Sequence, residues 1–96
     1  MLSTIPILTT ALGRDEIDQE ILRAAIIAEL DAINLYEQMA SMTNDKYIKS
    51  VLLDIAREEK THVGEFQTML LKIDREQNKE LEEGRKEVEE LLDNEC

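Results

Sequence analysis

The sequence is poor in the residues that staple, punctuate or stack a chain. It has one cysteine, one proline, three glycines, no tryptophan and only 3% aromatic residues among its 96. A lone thiol, Cys96, forms no bridge within the chain, which excludes a disulfide framework and favours a reducing interior with Cys96 as an inert tail thiol. Basic charge is also scarce: 11 Lys and Arg stand against 22 Asp and Glu, a net charge of -11. Such a chain repels phosphate backbones and anionic lipid surfaces, so neither nucleic acid nor membrane is an expected partner, whereas cations are. No uninterrupted apolar run approaches the ~20 residues a bilayer-spanning helix needs. The opening MLSTIPILTTALG carries no Lys or Arg ahead of its short apolar run, and Pro6 interrupts it. It reads as an ordered or docking arm rather than a signal peptide, and a cytoplasmic protein is expected.

What remains is helix-forming. Hydrophobic residues make up 43% and charged residues 34%, a balance that suits an all-α chain. Residues 1–96 are expected to form one domain, with a self-contained core so small that a partner chain is the natural remedy. Residues 1–13 form the arm. A first helix is expected over 14–42, with Asp15 as its N-cap, and a second over 46–74, separated by the polar break Thr43-Asn44-Asp45 in which Asn44 or Asp45 can cap the second helix. So short a connection makes the two helices an antiparallel hairpin. Residues 75–96 form an acidic C-terminal helix or tail in which Gly84 is a weak point. From Asp74 onward ten acids face four bases, and Leu81, Val88 and Leu91 or Leu92 give the segment a faint amphipathic spacing. A solvated face or a partner-docking element is its expected role.

The apolar stripes contain an anomaly. Steps of three and four along the second helix collect Ile48, Leu52, Ile55, Glu59, His62, Phe66, Met69 and Ile73, apolar except at the two central positions. Along the first helix they collect Leu22, Ile26, Glu29, Ile33, Tyr36 and Ala40, again with one carboxylate in the middle. Glu29 lies about as far before the turn as Glu59 lies after it, so both fall at one height at about 1.5 Å per residue, and His62 is one turn from Glu59. Burying unpartnered carboxylates costs several kcal/mol, and neither stripe holds a Lys or Arg. A bound cation is the natural compensation. One hairpin offers only three ligands, too few to enclose an ion, whereas two hairpins related by a two-fold axis form a four-helix bundle with four carboxylates and two imidazoles. A Glu from each of two helices and a Glu-x-x-His from each of the other two is the known pattern of ferritin-like di-iron and di-manganese proteins. Oxygen-rich ligation with one imidazole per metal suits Fe or Mn, and Zn would also bind. Tyr36 reads first as core and second as a hydrogen-bond or electron donor beside the ligands. Met39, Met42, Met69 and Phe66 read as core filler, and Glu58, Lys60 and Thr61 as solvent-facing.

The stretches AELDAINLYEQMA and LLDIAREEKTHVGEF resemble the encapsulated ferritins, short ferritin-like proteins housed in encapsulin nanocompartments, from about Ile21 to Leu71. The resemblance implies that Glu29, Glu59 and His62 are ferroxidase ligands and that the di-iron centre lies between two subunits. It further implies a ring of such dimers, often five and hence a decamer, inside an encapsulin shell that stores the oxidised iron. Asp31 matches an acid that guides iron inward in relatives. Ala28 stands where relatives often have a second Glu, and Leu35 where some have Trp, so the path inward is expected to be less acidic here. The ending LLDNEC does not look like a shell-targeting peptide, and some archaeal relatives are fused to their shell protein; a piece of a longer chain and a cargo with another signal both stay open.

These residues support three readings. The first is a ferroxidase oxidising Fe(II) with O2. The second is a rubrerythrin-like peroxide scavenger sharing the same ligands, although one cysteine cannot build the Cys-rich electron-transfer site that often accompanies it. The third is a metal-free helical interaction module whose Glu29 and Glu59 stay wet.

Overall fold

The structure is a computed structural model and describes residues 14–94. The amino-terminal arm and Cys96 lie outside the described residues. Three helices occur in order: α1 over Arg14–Met42, α2 over Lys46–Ile73 and α3 over Arg75–Asn94, with no strand among the described residues. Helix α1 opens at Arg14, so Asp15 lies within its first turn instead of preceding it as a cap.

The turn between α1 and α2 is built from side chains. Thr43 Oγ1 accepts the Asp45 N–H at 3.1 Å, and Asp45 Oδ1 accepts the Tyr47 and Ile48 N–H groups at 2.8 and 3.0 Å. Two of the otherwise orphaned donors of α2 are thereby satisfied, with Asp45 in the extended conformation an N-cap adopts. The chain reverses and α2 runs back along α1.

Few residues are sealed between the two helices. Ile33, Ala40, Ala56 and Leu70 are the buried apolar residues, and no large side chain is fully buried among the described residues. Ala40 and Ala56 are 1% and 2% exposed. Small side chains at those positions let the helices draw close without a cavity. The α1 stripe lies along this seam, with Leu22, Ile26, Glu29 and Tyr36 half-buried. The α2 stripe does so only in its middle, since Ile48, Met69 and Ile73 are 52%, 53% and 42% exposed. Met42, at 79%, is likewise outside the core in which the sequence placed it. No described helix is long and apolar enough to cross a membrane.

A single residue joins α2 to α3. Asp74 donates its N–H to Leu70 O at 2.8 Å as the last bond of α2, and its carbonyl accepts the Asn78 N–H at 3.1 Å as the first of α3. The molecule is flat and open, with extents of 48 × 47 × 20 Å. Its radius of gyration is 17.2 Å, against about 12.5 Å for a compact chain of this length.

Candidate metal centre

Glu29 is contributed by the middle of α1, and Glu59 and His62 by the middle of α2. One helical turn brings Glu59 beneath His62, and the hairpin register brings Glu29 across to both. His62 Nδ1 lies 3.3 Å from Glu29 Oε2 and 3.5 Å from Glu59 Oε2. One ligand atom from each of the three residues can be chosen so that all lie within 4.8 Å of one another. Ligands about 2.1 Å from a shared ion and roughly 90–110° apart would be separated by about 3.0–3.4 Å, close to the 3.3 and 3.5 Å that the imidazole keeps from the two carboxylates.

The surroundings favour a cation. Among the described residues, the lysines and arginines in ion pairs are engaged elsewhere: Lys60 with Glu37 at 3.1 Å, Arg57 with Asp54 at 2.6 Å, Arg23 with Asp74, and Arg85 and Lys86 within α3. Among the described residues, the two carboxylates have His62 as their ion-pair partner and no Lys or Arg paired to either. Their side chains are only 21% and 18% exposed, while His62 keeps 44%. Partial burial of two acids beside one imidazole is a donor set that fits a hard or borderline divalent ion such as Fe, Mn or Zn. One chain supplies three donors and leaves the cluster open on one side.

The other singled-out residues stand apart from this cluster. Tyr36 lies two turns along α1 from Glu29 and is half-buried. Asp31 lines a shallow groove of about 270 Å³ with Asn34, Leu35 and Gln38 on the outer side of α1.

A second polar cluster has no counterpart in the apolar stripes. Arg23 of α1 pairs with Asp74, whose other oxygen accepts the Gln77 N–H at 2.9 Å, and Gln19 Nε2 donates to Ile73 O at 3.2 Å. The Gln77 N–H, followed by the Arg23 guanidinium, holds the Asp74 carboxyl below the usual carboxylate range. Its signal in the sequence is the Asp74-x-x-Gln77 spacing, the acid-to-amide interval of a helix start.

Known proteins share this arrangement of helices. Residues 20–94 match the rubrerythrin family. The chain belongs to that family, a class of ferritin-like helical proteins. Within the class it is similar to the encapsulated ferritin domain from Pyrococcus furiosus, with a TM-score of 0.80 and 54% identity over 91% of this chain and 94% of the other. It is also 64% identical over 72 residues to a ferritin-like-encapsulin shell fusion protein of the same organism. That match takes in 75% of this chain and 21% of the relative, so the chain spans about a fifth of the longer protein.

Proposed function

We propose that two copies of this chain pack hairpin against hairpin, hold a pair of iron ions between them and act as a ferroxidase that oxidises Fe(II) with O2. The observation that carries this reading is the convergence of Glu29, Glu59 and His62 from two helices with no lysine or arginine paired to them among the described residues. Two such half-sites supply four carboxylates, whose charge equals that of two divalent ions, and two imidazoles. The two Fe(II) ions each give one electron to one dioxygen, which takes two protons from solvent and leaves as hydrogen peroxide.

In this reading Glu29 and Glu59 bind and orient the incoming iron and neutralise its charge. His62 supplies a nitrogen donor and fixes the spacing of the two acids. Tyr36, two turns along α1 from Glu29, serves as an electron donor to the pair, and Asp31 guides iron toward it from the outer groove. Mn or Zn can take the same donors in place of iron. The dimers join into a ring such as a decamer, and Fe(III) is passed to the lumen of an encapsulin shell within the cytoplasm. The name of the fusion relative supports the shell association.

The test is anaerobic addition of Fe(II), then air, monitored by near-ultraviolet absorbance. Rapid oxidation saturating at about two irons per pair of chains is expected, lost in Glu59→Ala and His62→Ala. A rate no faster than buffer sinks the proposal. The rubrerythrin match favours a second reading, a di-iron peroxide scavenger using the same ligands. Replacing air with hydrogen peroxide separates them, because a scavenger turns over faster with peroxide and a ferroxidase with dioxygen.

A further inference from the structure

Helix α3 is 20 residues long and buries none of them. Leu81, Val88, Leu91 and Leu92 are 43–61% exposed. An unsupported helix of this length is marginal in water, and its own ion pairs, Arg85 with Glu82 and Glu89 and Lys86 with Glu83, support the helix without fixing where it points. Beneath its first turns lies a groove of about 290 Å³ whose lining includes Arg23, Ile26, Ile27, Leu70, Gln77 and Leu81. Among the described residues, side-chain packing therefore does not set the heading of α3.

Polar contacts at its root tie it to the hairpin. Asp74 uses one carboxylate oxygen on the Gln77 N–H, which starts α3, and the other on Arg23, which belongs to α1. The Asp74 side chain is 10% exposed and Arg23 46%, so the contact is shielded on the acid's side. Gln19 adds a second strut from α1 to the last carbonyl of α2. We propose that Arg23 and Asp74 form a latch through which α1 sets the direction of α3, and that breaking this one ion pair frees the helix to swing about Asp74 as an intact unit. The latch gives the fold a conformational control point roughly 22 Å along α2 from Glu59.

Spin labels on Asn34→Cys in α1 and Glu90→Cys in α3, in a Cys96→Ser background diluted with unlabelled protein, read the heading as a distance distribution. The latched protein gives one narrow peak. In Arg23→Met the peak broadens and its mean shifts, while the Gln77 amide stays protected from hydrogen exchange because its cap is untouched. Asp74→Asn gives the same broadening, since asparagine retains the capping oxygen but not the charge. Lys60→Met, which removes a different ion pair between α1 and α2, leaves the peak unchanged. Distributions in Arg23→Met and Asp74→Asn that superimpose on the unmodified protein overturn the proposal, as does equal broadening in Lys60→Met.

Discussion

Replacing Glu29 with Gln should raise the stability of the metal-free protein and abolish its response to metal. The two carboxylates offer ligand atoms within 4.8 Å of each other, with no fixed cation between them. Two unit charges at that separation repel by about 0.9 kcal/mol in water and about 3.5 kcal/mol at an effective dielectric near 20, and the half-buried setting lies between these limits. Glutamine has the same shape and can still hydrogen-bond His62, so the substitution removes the repulsion without opening a cavity. Metal-free Glu29→Gln should gain roughly 1–3 kcal/mol, each kcal/mol raising the melting temperature of so small a domain by about 4–8 °C. Metal closes or reverses this gap. Anaerobic Fe(II) at a hundredfold excess over Kd should stabilise the unmodified protein by about 2.7 kcal/mol and leave Glu29→Gln nearly unmoved. The assay is thermal unfolding at fixed protein concentration, with chelator and with metal. A metal-free Glu29→Gln that melts below the unmodified protein, or an unmodified protein indifferent to metal, would refute the reasoning and favour the metal-free module.

Three further outcomes are expected. Leu70→Ala, at a position 4% exposed, should cost about 2–5 kcal/mol in chemical denaturation, and a loss below 1 kcal/mol would mean that the neighbouring groove collapses to fill the gap. Gly64→Ala should stabilise α2 by about 0.5–1 kcal/mol, because a methyl group there meets nothing within 4 Å; destabilisation would show that another chain approaches that surface. Because folding lowers the Asp74 pKa below its ordinary 3.8, its contribution is present above that value and lost as pH falls through the depressed folded value. Asp74→Asn should thus be less stable than the unmodified protein at neutral pH, with the gap in melting temperature closing below about pH 4, and a gap constant across acid titration would contradict the assignment.

The hairpin and the trio at its centre were legible because both derive from helical period and turn length. Glu29, Glu59 and His62 interrupt otherwise apolar stripes, and equal distance from a three-residue turn sets them at one level. The inner line of α2 was harder to place. Ala56 and Leu70, its most buried residues, lie one position beyond Ile55 and Met69 of the expected stripe, so the seam with α1 is rotated from the line the larger side chains suggested. Alanine carries little weight in a hydrophobic pattern, yet it is what lets α1 close against α2. The exposure of Ile48 and Ile73 has the same origin, since that stripe faces away from the seam at the ends of the hairpin. Arg23 and Asp74 are 51 residues apart in a chain crowded with charge, and ion pairs have no period to betray them. The start of α3 was nonetheless written locally, in an acid three places ahead of Gln77.

The one-residue joint at Asp74 also acts as a lever. Helix α3 extends about 30 Å from it, so a rotation of only ~10° at the pivot displaces the far end by ~5 Å, more than the width of a methyl group. Any surface that had to meet Leu91 and Leu92 would thus inherit its alignment from a guanidinium on a different helix, and angular error at the fulcrum would be felt most where the chain reaches furthest.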